Sequence, residues 1–246
     1  MEKRIVLISG VSSGIGKALA SKFQKEGFTV AGVSRTAPSE DLKLDLWIQG
    51  DLTLPASRTE VLNSIRSKYG RLDVLINNAG KGIYEVWKNT SETDLRDIFE
   101  LNFFTVVEMT RLFLPLLIEA KGTLINISSV AGKIHVPCMG PYCATKSALN
   151  SFTDTLRVEL HSSGVRVLNI MPGRIDTGFS SRSLGSMTPP HTPGALLPEK
   201  IADKVFALFC SSRSELIYPS WCGLFIQLMK LFRGFYERQN IKRWGI

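Results

Sequence analysis

Tyr142 and Lys146 are the residues whose types and spacing most directly suggest chemistry. Because they stand four positions apart in a predicted helix, both side chains lie on one helical face, with Cβ atoms about 5–6 Å apart. A phenol with an ordinary pKa of about 10 is a poor acid–base catalyst at neutral pH, and a nearby ammonium group favours its ionised form. Such a pair is more often a simple surface contact, so its interpretation depends on the rest of the sequence.

Three glycines lie between a predicted strand, residues 5–9, and a predicted helix, residues 14–27. Glycines at such a junction let the backbone turn tightly and approach a ligand, and the N–H groups at the helix start favour a pyrophosphate. The loop therefore predicts a dinucleotide-binding site. The residues expected to contact the dinucleotide here are Gly10, Ser12, Ser13, Gly14, Ile15 and Gly16.

The end of the second predicted strand, residues 29–34, indicates which dinucleotide is bound. A site for NAD normally carries an acidic residue there, which accepts a hydrogen bond from the ribose 2′-hydroxyl. This sequence has Ser34 and Arg35 instead, with no acidic residue before Glu40. Because an arginine fork can pair with a 2′-phosphate, the expected cofactor is NADP(H), with Ser34 and Arg35 among its contacts.

Apolar runs that alternate with helical patterns must position these residues. The predicted strands are residues 5–9, 29–34, 46–50, 73–76, 123–128, 165–171 and an edge strand at 216–218. The predicted helices are residues 14–27, 55–69, 91–120 with a bend at Pro115, 141–162 and 199–211. Strands that are apolar on both faces and separated by helices indicate a parallel sheet covered on both sides. The expected fold is α/β, a doubly wound, mostly parallel sheet in three layers, forming one domain over residues 1–246 with a helical C-terminal extension.

Two later segments bear on which substrate the protein binds. Residues 178–198 contain four prolines among Ser, Gly and Thr, and a long irregular segment inside a compact domain is usually a functional lid or a disordered loop. We expect the substrate to lie beneath it, in an apolar pocket closed by residues after 199. The second segment, residues 221–246, is a basic, amphipathic tail.

Several further motifs occur in an order that resembles the short-chain dehydrogenase/reductase family in its form of roughly 250 residues. The resemblance covers residues 4 to about 178. Besides the glycine loop, the matching cofactor motifs are Asp51 with Leu52, the run Asn77, Asn78, Ala79 and Gly80, and Pro172 with Gly173, Ile175 and Thr177. The residues that match the family's catalytic tetrad are Asn102, Ser129, Tyr142 and Lys146.

The resemblance also implies roles. Tyr142 is expected to be the acid for carbonyl reduction and the base for alcohol oxidation, while Lys146 lowers its pKa and hydrogen-bonds the nicotinamide ribose. Ser129, favoured over Ser128 by its spacing from the tyrosine, is expected to hold the substrate oxygen. Asn102 is expected to anchor a water that relays protons to Lys146.

The charge of the 246-residue chain is unevenly distributed. Lys and Arg number 30 against 22 Asp and Glu, a net charge of +8, and residues 221–246 alone carry five basic residues and one Glu. The remaining charge forms no basic stripe of the kind that nucleic-acid binding needs. Four cysteines without pairing motifs predict reduced thiols and no metal site. With no signal-peptide core and no uncharged apolar stretch of ~18–20 residues, the sequence predicts a cytoplasmic protein.

The tail departs from the family pattern, because residues 218–223 replace the glycine-rich turn of carrier-protein-linked reductases. The following residues, 223–237, form a helical pattern whose apolar face exceeds what an exposed helix tolerates. Three alternatives remain for what covers this apolar face: the pocket of its own chain, a second subunit in a homodimer or homotetramer, or a membrane surface that the Lys and Arg residues face.

The sequence as a whole predicts an NADP(H)-dependent oxidoreductase that interconverts a carbonyl and a primary or secondary alcohol, on a small, apolar or lipid-like molecule. One enzymatic alternative is a reductase of 3-oxoacyl groups on a carrier protein, where the basic surface would meet an acidic partner. An alternative of another class is a regulatory or interaction protein that binds NADPH without turnover.

Overall fold

The computed structural model describes residues 3–190 and 195–245, and its centre is one parallel sheet. The strands are β1 (Ile5–Ser9), β2 (Thr29–Ser34), β3 (Leu46–Gln49), β4 (Val74–Asn77), β5 (Thr123–Ile127), β6 (Arg166–Pro172) and β7 (Glu215–Tyr218). Their spatial order is β3-β2-β1-β4-β5-β6-β7, and every described pairing is parallel. The predicted doubly wound sheet is confirmed, and the expected edge strand is β7.

Helices cover both faces of this sheet. They are α1 (Gly14–Lys25), α2 (Pro55–Tyr69), α3 (Glu92–Phe99), α4 (Thr105–Glu119), α5 (Gly140–Glu159), α6 (Pro198–Phe209), α7 (Trp221–Leu231) and α8 (Arg233–Trp244). Helices α1 and α6 bury Phe23 and Val205 in one core, and α2, α4 and α5 bury Ile65 and Phe113 in the other. Strand residues point alternately into the two cores, which is why the central strands are apolar throughout.

The strand order reverses between β1 and β4, so their crossover connections leave in opposite directions. In open α/β sheets this reversal opens a crevice at the carboxyl ends of the strands, where ligands bind. The glycine loop follows β1, and the run from Asn78 to Gly80 follows β4. The fold therefore brings these two motifs to the same crevice.

The helix predicted over residues 91–120 is not one regular helix. A π-helical segment, Glu100–Phe104, separates α3 from α4, whereas Pro115 lies inside α4. The side chain of Asn102, in the middle of the π segment, bonds the backbone of Lys81 across the crevice. π-Bulges concentrate at functional sites. The irregularity therefore lies at Asn102, whereas the sequence pattern predicted a bend at Pro115.

The same helical run bears on the expectation that the chain has no uncharged apolar stretch of ~18–20 residues, the length that a membrane-spanning helix needs. Within the described part of the chain, Glu92–Glu119 passes that test by length and composition, with a mean hydropathy of 1.5 over its most apolar window. Of that window 44% is buried inside the fold, and Met109, Phe113 and Leu117 pack beneath the sheet. Every 18-residue window of this run contains Glu108, so the finding does not contradict that expectation, and the burial is that of a core helix.

The tail also differs from its prediction, since it forms two helices rather than one continuous stripe. The chain turns at Phe232 (φ −111°, ψ 45°), between α7 and α8. Cys222, Ile226 and Met229 of α7 are buried against the body of the protein. Helix α8 turns back across the crevice, and its Trp244 stacks on Tyr84 with ring centroids 6.4 Å apart.

Candidate active site

A cavity of about 800 Å³ runs through the crevice, from the glycine loop to the C-terminal helices. Every predicted cofactor and catalytic residue lines it except Gly16, Asn77 and Asn102. Gly16 lies behind the loop and Asn102 is fully buried behind the wall. The fold therefore gathers residues from positions 10 to 177 around one space.

The glycine loop has the form needed to hold a pyrophosphate. Gly10 and Gly14 have positive φ angles, +75° and +56°, which glycine adopts without strain. A Cβ at Gly16 would lie 2.1 Å from the carbonyl oxygen of Gly10, so only glycine allows helix α1 to pack this closely on the loop. Ser13 is the N-cap of α1, yet its hydroxyl makes no capping bond. The unpaired N–H groups of a helix start then face the cavity, and they suit an anion.

The motif after β4 supports this loop from the neighbouring strand. The Asn78 side chain donates to the carbonyl oxygen of Ser9 at 2.8 Å, and the Ser9 hydroxyl accepts the N–H groups of Asn78 and Ala79 at 2.9 and 3.0 Å. A Cβ at Gly80 would lie 3.1 Å from Asn102 Oδ1. The motif thus fixes the glycine loop on one side and Asn102 on the other.

The far end of the cavity, beyond the glycine loop, carries the residues predicted to choose the cofactor. Arg35 is exposed at the end of β2 and lines the cavity, as does Asp51. Partial burial raises the pKa of Asp51, but hydrogen bonds from Thr53 and the charges of Arg35 and Lys81 outweigh it and leave the pKa below its ordinary value. The Ser34 hydroxyl is already bonded, donating to the carbonyl oxygen of Thr36 at 2.8 Å. This end of the cavity is therefore lined by the exposed guanidinium of Arg35 and the carboxylate of Asp51.

Tyr142 stands on the first turn of α5 with its phenol buried in the cavity wall. Burial raises the pKa of this phenol well above its ordinary value, and its hydrogen-bonding interaction with Ser129 offsets the rise in part. Ser129 is the N-cap of a short helical turn after β5 and accepts the N–H of Ala131 at 3.1 Å. The neighbouring Ser128 hydroxyl instead donates to the backbone of Lys146 at 3.3 Å. The hydroxyl that meets the phenol is thus that of Ser129.

Lys146 lies one turn further along α5 and is 5% exposed. Its Nζ donates to the carbonyl oxygen of Ile127 at 2.9 Å and lies 5.9 Å from the centre of the Tyr142 ring. Burial lowers the pKa of the ammonium group to about 8. Tyr142 and Lys146 therefore lie in one buried part of the cavity wall, where burial disfavours the charged form of both side chains. The expected lowering of the Tyr142 pKa by Lys146 stays a prediction.

Asn102 is held rigidly at the back of the site. Its Oδ1 accepts the N–H of Lys81 at 2.9 Å, and its Nδ2 donates to the carbonyl oxygen of Lys81 at 2.8 Å and to Thr145 Oγ1 at 3.2 Å. Thr145 lies directly before Lys146 in α5. The side chain therefore ties three elements together at the base of the catalytic helix.

The substrate loop, residues 178–198, covers one side of the cavity. Its residues 191–194 lie outside the described part, and the described remainder is irregular apart from a short turn at Ser180–Arg182. It pairs with the segment after β4 through an Ile83–Leu184 bridge. Glu85 accepts the N–H and hydroxyl of Ser186 at 2.9 and 2.7 Å, and these bonds lower the pKa of its carboxyl group. The loop is thus attached to the rim of the pocket.

Other cavity residues were missed from the sequence. They are mostly apolar or aromatic, and they come from the segments after β4 and β5, from the substrate loop and from the tail. The main ones are Tyr84, Ile134, Val136, Met139, Phe179, Phe225, Tyr236, Asn240, Arg243 and Trp244. The spacing of Tyr236, Asn240 and Trp244, four residues each, places them on one face of α8, and this signal was present in the sequence.

The four cysteines are free thiols in this structure, and Cys138, Cys143 and Cys222 are buried. Burial raises the pKa of each of these three buried thiols. Among the residues that the structure describes, no group of three or more His, Cys, Asp or Glu side chains is arranged to hold a metal ion.

The strand order and the glycine loop define a dinucleotide-binding α/β fold. The family model for short chain dehydrogenases matches residues 4–185. The chain belongs to this family of nucleotide-binding oxidoreductases, enzymes that act on CH–OH groups of small molecules.

Two curated relatives and one solved structure illustrate the likeness. A 3-ketodihydrosphingosine reductase from Bacteroides thetaiotaomicron is 37% identical over 190 residues, which cover 76% of this chain and 70% of the relative. The NADPH-dependent 1-acyldihydroxyacetone phosphate reductase of Schizosaccharomyces pombe is 36% identical over 196 residues, 78% of this chain and 66% of the relative. A short-chain dehydrogenase from Streptomyces avermitilis superposes with a TM-score of 0.83 at 27% identity, covering 99% of this chain and 98% of that one.

Proposed function

We propose that this protein is an NADP(H)-dependent oxidoreductase that interconverts a carbonyl and a primary or secondary alcohol on an apolar, lipid-like substrate. The observation that carries the proposal is the buried Tyr142 phenol. It meets the Ser129 hydroxyl in the wall of a cavity that also contains the glycine loop. Reversible carbonyl reduction requires a proton donor, a hydroxyl that binds the substrate oxygen and a dinucleotide-binding loop in the same cavity.

In the proposed mechanism Tyr142 donates a proton to the carbonyl oxygen in reduction and accepts it in oxidation. When bound, NADP(H) supplies or accepts the hydride at the substrate carbon. The Ser129 hydroxyl donates to the substrate oxygen and stabilises the negative charge that develops there. Lys146 hydrogen-bonds the nicotinamide ribose and, while charged, favours the phenolate. Asn102 anchors a water that relays protons to Lys146, from the position that its bonds to Lys81 fix.

The remaining predicted contacts hold the dinucleotide in the proposed complex. The glycine loop meets the pyrophosphate, Asp51 and Leu52 meet the adenine, and the segment after β6 meets the nicotinamide amide. This last segment is anchored by bonds from Gly173 N–H to the carbonyl oxygen of Tyr218 at 2.7 Å and from Asp176 N–H to that of Leu196 at 2.8 Å.

The choice of NADP(H) over NAD(H) rests on Arg35. Its exposed guanidinium lines the end of the cavity next to β2, and no acidic side chain follows that strand before Glu40. We expect Arg35→Ala to weaken NADPH binding by ~10- to 100-fold and to change NADH binding little. The affinities are compared by fluorescence titration, and an equal loss for both dinucleotides refutes the assignment.

An apolar substrate is supported by the lining around Tyr142. Ile134, Val136, Met139 and Phe179 face the cavity there, and the Phe179 ring centre lies 5.8 Å from that of Tyr142. The relatives whose names refer to 3-ketodihydrosphingosine and 1-acyldihydroxyacetone phosphate point the same way.

NADPH consumption across a substrate panel tests the proposal and its rivals. The panel contains long-chain keto lipids, steroids, retinoids, small aldehydes and a 3-oxoacyl group on a carrier protein. We expect turnover to be fastest with a long-chain or polycyclic carbonyl. Preference for the carrier-linked group would favour the 3-oxoacyl reductase. NADPH binding without turnover of any compound would favour a non-catalytic NADPH-binding protein.

We further propose that the protein is cytoplasmic and lies against an anionic membrane surface through residues 221–246. One face of the tail packs on the pocket, but the opposite face presents large apolar side chains to solvent. Their spacing of three and four residues continues through the turn at Phe232. The exposed residues, 45–74% accessible, are Trp221, Leu224, Leu228, Leu231, Phe232 and Phe235.

The tail is also rich in basic side chains, and this charge suggests what covers the apolar face. The tail carries Lys230, Arg233, Arg238, Lys242 and Arg243 against Glu237 alone, a net charge of +4. Each basic residue near an anionic bilayer contributes about 1 kcal/mol. Arg243 lines the cavity, so the other residues leave three net charges, which favour an anionic over a neutral bilayer by roughly 3 kcal/mol, or about a hundredfold in partitioning.

Vesicle flotation tests this contact. We expect the protein to float with vesicles containing phosphatidylserine, to float less in high salt, and to lose binding when Leu224, Leu228 and Leu231 become Ser. A matched control replaces exposed Trp87 and Val158 on other faces. Unchanged flotation of the tail variant contradicts the membrane contact. If light scattering shows that the tail variant has a smaller particle mass than the wild type, the apolar face of the tail is instead the interface of the expected homodimer or homotetramer.

A further inference from the structure

Arg182 of the substrate loop reaches across the mouth of the cavity to the glycine loop. Its Nη1 donates to the Ser13 hydroxyl at 2.7 Å, although 169 residues separate the two in sequence. Nη2 and Nε donate to the carbonyl oxygens of Thr177 and Gly178 at 3.0 and 3.3 Å. Three of the five N–H donors of a guanidinium thus fix its position. Two donors remain, one on each terminal nitrogen.

The position that Arg182 occupies is an anion site by its backbone geometry. Ser13 is the N-cap of α1, and the helix start directs its N–H groups and partial positive charge into the cavity. The guanidinium adds a full positive charge at this point. Within residues 3–190 and 195–245, no carboxylate lies close enough to form an ion pair with it.

Thr177, which directly precedes the substrate loop, also contacts the glycine loop. A Cβ at Gly14 would lie 2.9 Å from the Cβ of Thr177, so the two backbones pack closely there. Further along, the loop is held by bonds from Leu184 N–H to the carbonyl oxygen of Gly82 and from Tyr84 N–H to that of Leu184, both 2.9 Å. A group bound between Arg182 and the glycine loop therefore acts on the loop that covers the substrate pocket.

We propose that Arg182 binds the pyrophosphate of the dinucleotide, and that this contact links the bound dinucleotide to the described first part of the substrate loop, residues 178–190. The proposal rests on the proposed function only in taking the ligand to be a dinucleotide. In it, Arg182 exchanges the Ser13 hydroxyl for pyrophosphate oxygens, which accept charge-assisted hydrogen bonds from its fork. Arg182 and Arg35 then have separable tasks: the first recognises a group common to NAD and NADP, and the second recognises the 2′-phosphate.

Fragments of the cofactor separate these tasks without catalysis. Calorimetric titration measures adenosine, ADP-ribose and 2′-phospho-ADP-ribose binding to wild type, Arg182→Ala, Arg182→Lys and Arg35→Ala. We expect Arg182→Ala to weaken both phosphate-containing fragments by ~10- to 100-fold, to leave adenosine unchanged, and to reduce the salt dependence of binding. Arg182→Lys keeps the charge without the fork and should fall between. Arg35→Ala should weaken 2′-phospho-ADP-ribose alone.

Hydrogen exchange measures the coupling to the loop. ADP-ribose should slow amide exchange in residues 178–190 of the wild type and of Arg35→Ala, and should have little effect there in Arg182→Ala. Wild-type affinity of Arg182→Ala for ADP-ribose overturns the proposal, as does an equal loss of adenosine binding, which would indicate a structural role. If the wild type does not bind ADP-ribose at all, both the role of Arg182 and the proposed function are refuted.

Discussion

Lys146 is a buried cation with no carboxylate partner among the described residues, and its protonation should be visible in both stability and activity. Its Nζ has a single described acceptor, the carbonyl oxygen of Ile127 at 2.9 Å, and burial lowers the pKa of the ammonium group from 10.5 to about 8. Because the folded-state pKa lies below the unfolded one, the charged form destabilises the fold at neutral pH. This destabilisation disappears as the pH rises from about 8 toward 10.5.

The magnitude follows from the shift. A change from 10.5 to about 8 corresponds to roughly 3 kcal/mol at 1.36 kcal/mol for each pKa unit. The unfolded chain binds the proton more tightly than the native chain across this interval, so the free energy of unfolding rises with pH. We therefore expect the wild type to gain roughly 2–3 kcal/mol relative to Lys146→Met between about pH 7 and about pH 10.

Urea denaturation of both proteins over this pH range provides the assay. The difference between the two unfolding free energies cancels the titration of every group that they share. Lys204→Met, which removes an exposed lysine, is the matched control. A flat difference for Lys146→Met would refute the reasoning, because it would mean that the buried ammonium group keeps its ordinary pKa.

The same titration should appear in turnover. The charged form of Lys146 prevails below about pH 8, and the raised pKa of Tyr142 keeps the phenol protonated throughout. At saturating NADPH, kcat/KM for carbonyl reduction should hold steady up to about pH 8 and then fall about tenfold for each further pH unit. A rate that stays constant to about pH 10 would contradict a requirement for the charged lysine.

Two further substitutions test the framework of the site. Gly16→Ala should lower the unfolding midpoint and weaken dinucleotide binding, because a Cβ would lie 2.1 Å from the Gly10 carbonyl oxygen; Gly140→Ala, where a Cβ meets nothing within 4 Å, is its thermal-denaturation control. Glu85→Gln should speed hydrogen exchange of residues 178–190 several-fold, because the carboxylate holds the N–H and hydroxyl of Ser186. Unchanged exchange would mean that the carboxylate does not hold the loop.

Local patterns explain what could be predicted from the sequence. The helical spacing of Tyr142 and Lys146, and the glycines between a strand and a helix, are features of short segments. The parallel sheet follows from strands that are apolar on both faces. Once the strand order is fixed, the carboxyl ends of β1, β4, β5 and β6 meet at one crevice, and the predicted residues come together there.

The errors arose where contacts distant in sequence decide the conformation. The π segment at Asn102 depends on its bonds to Lys81, which lies 21 residues earlier, whereas Pro115 is the more obvious local signal. The turn at Phe232 accompanies packing of α8 over the crevice, including the Tyr84–Trp244 contact. The bond from Arg182 to Ser13 likewise joins two segments that no periodic pattern connects.

Removal of the Tyr142 hydroxyl tests the central claim most directly. Tyr142→Phe keeps the buried ring and its packing against Phe179 but removes the proton donor. With NADPH affinity measured on the same sample, we predict that kcat for carbonyl reduction falls by ~10²- to 10⁴-fold while the Kd for NADPH changes less than about threefold. Turnover at the wild-type rate with NADPH bound would contradict the assignment of Tyr142 as the catalytic acid.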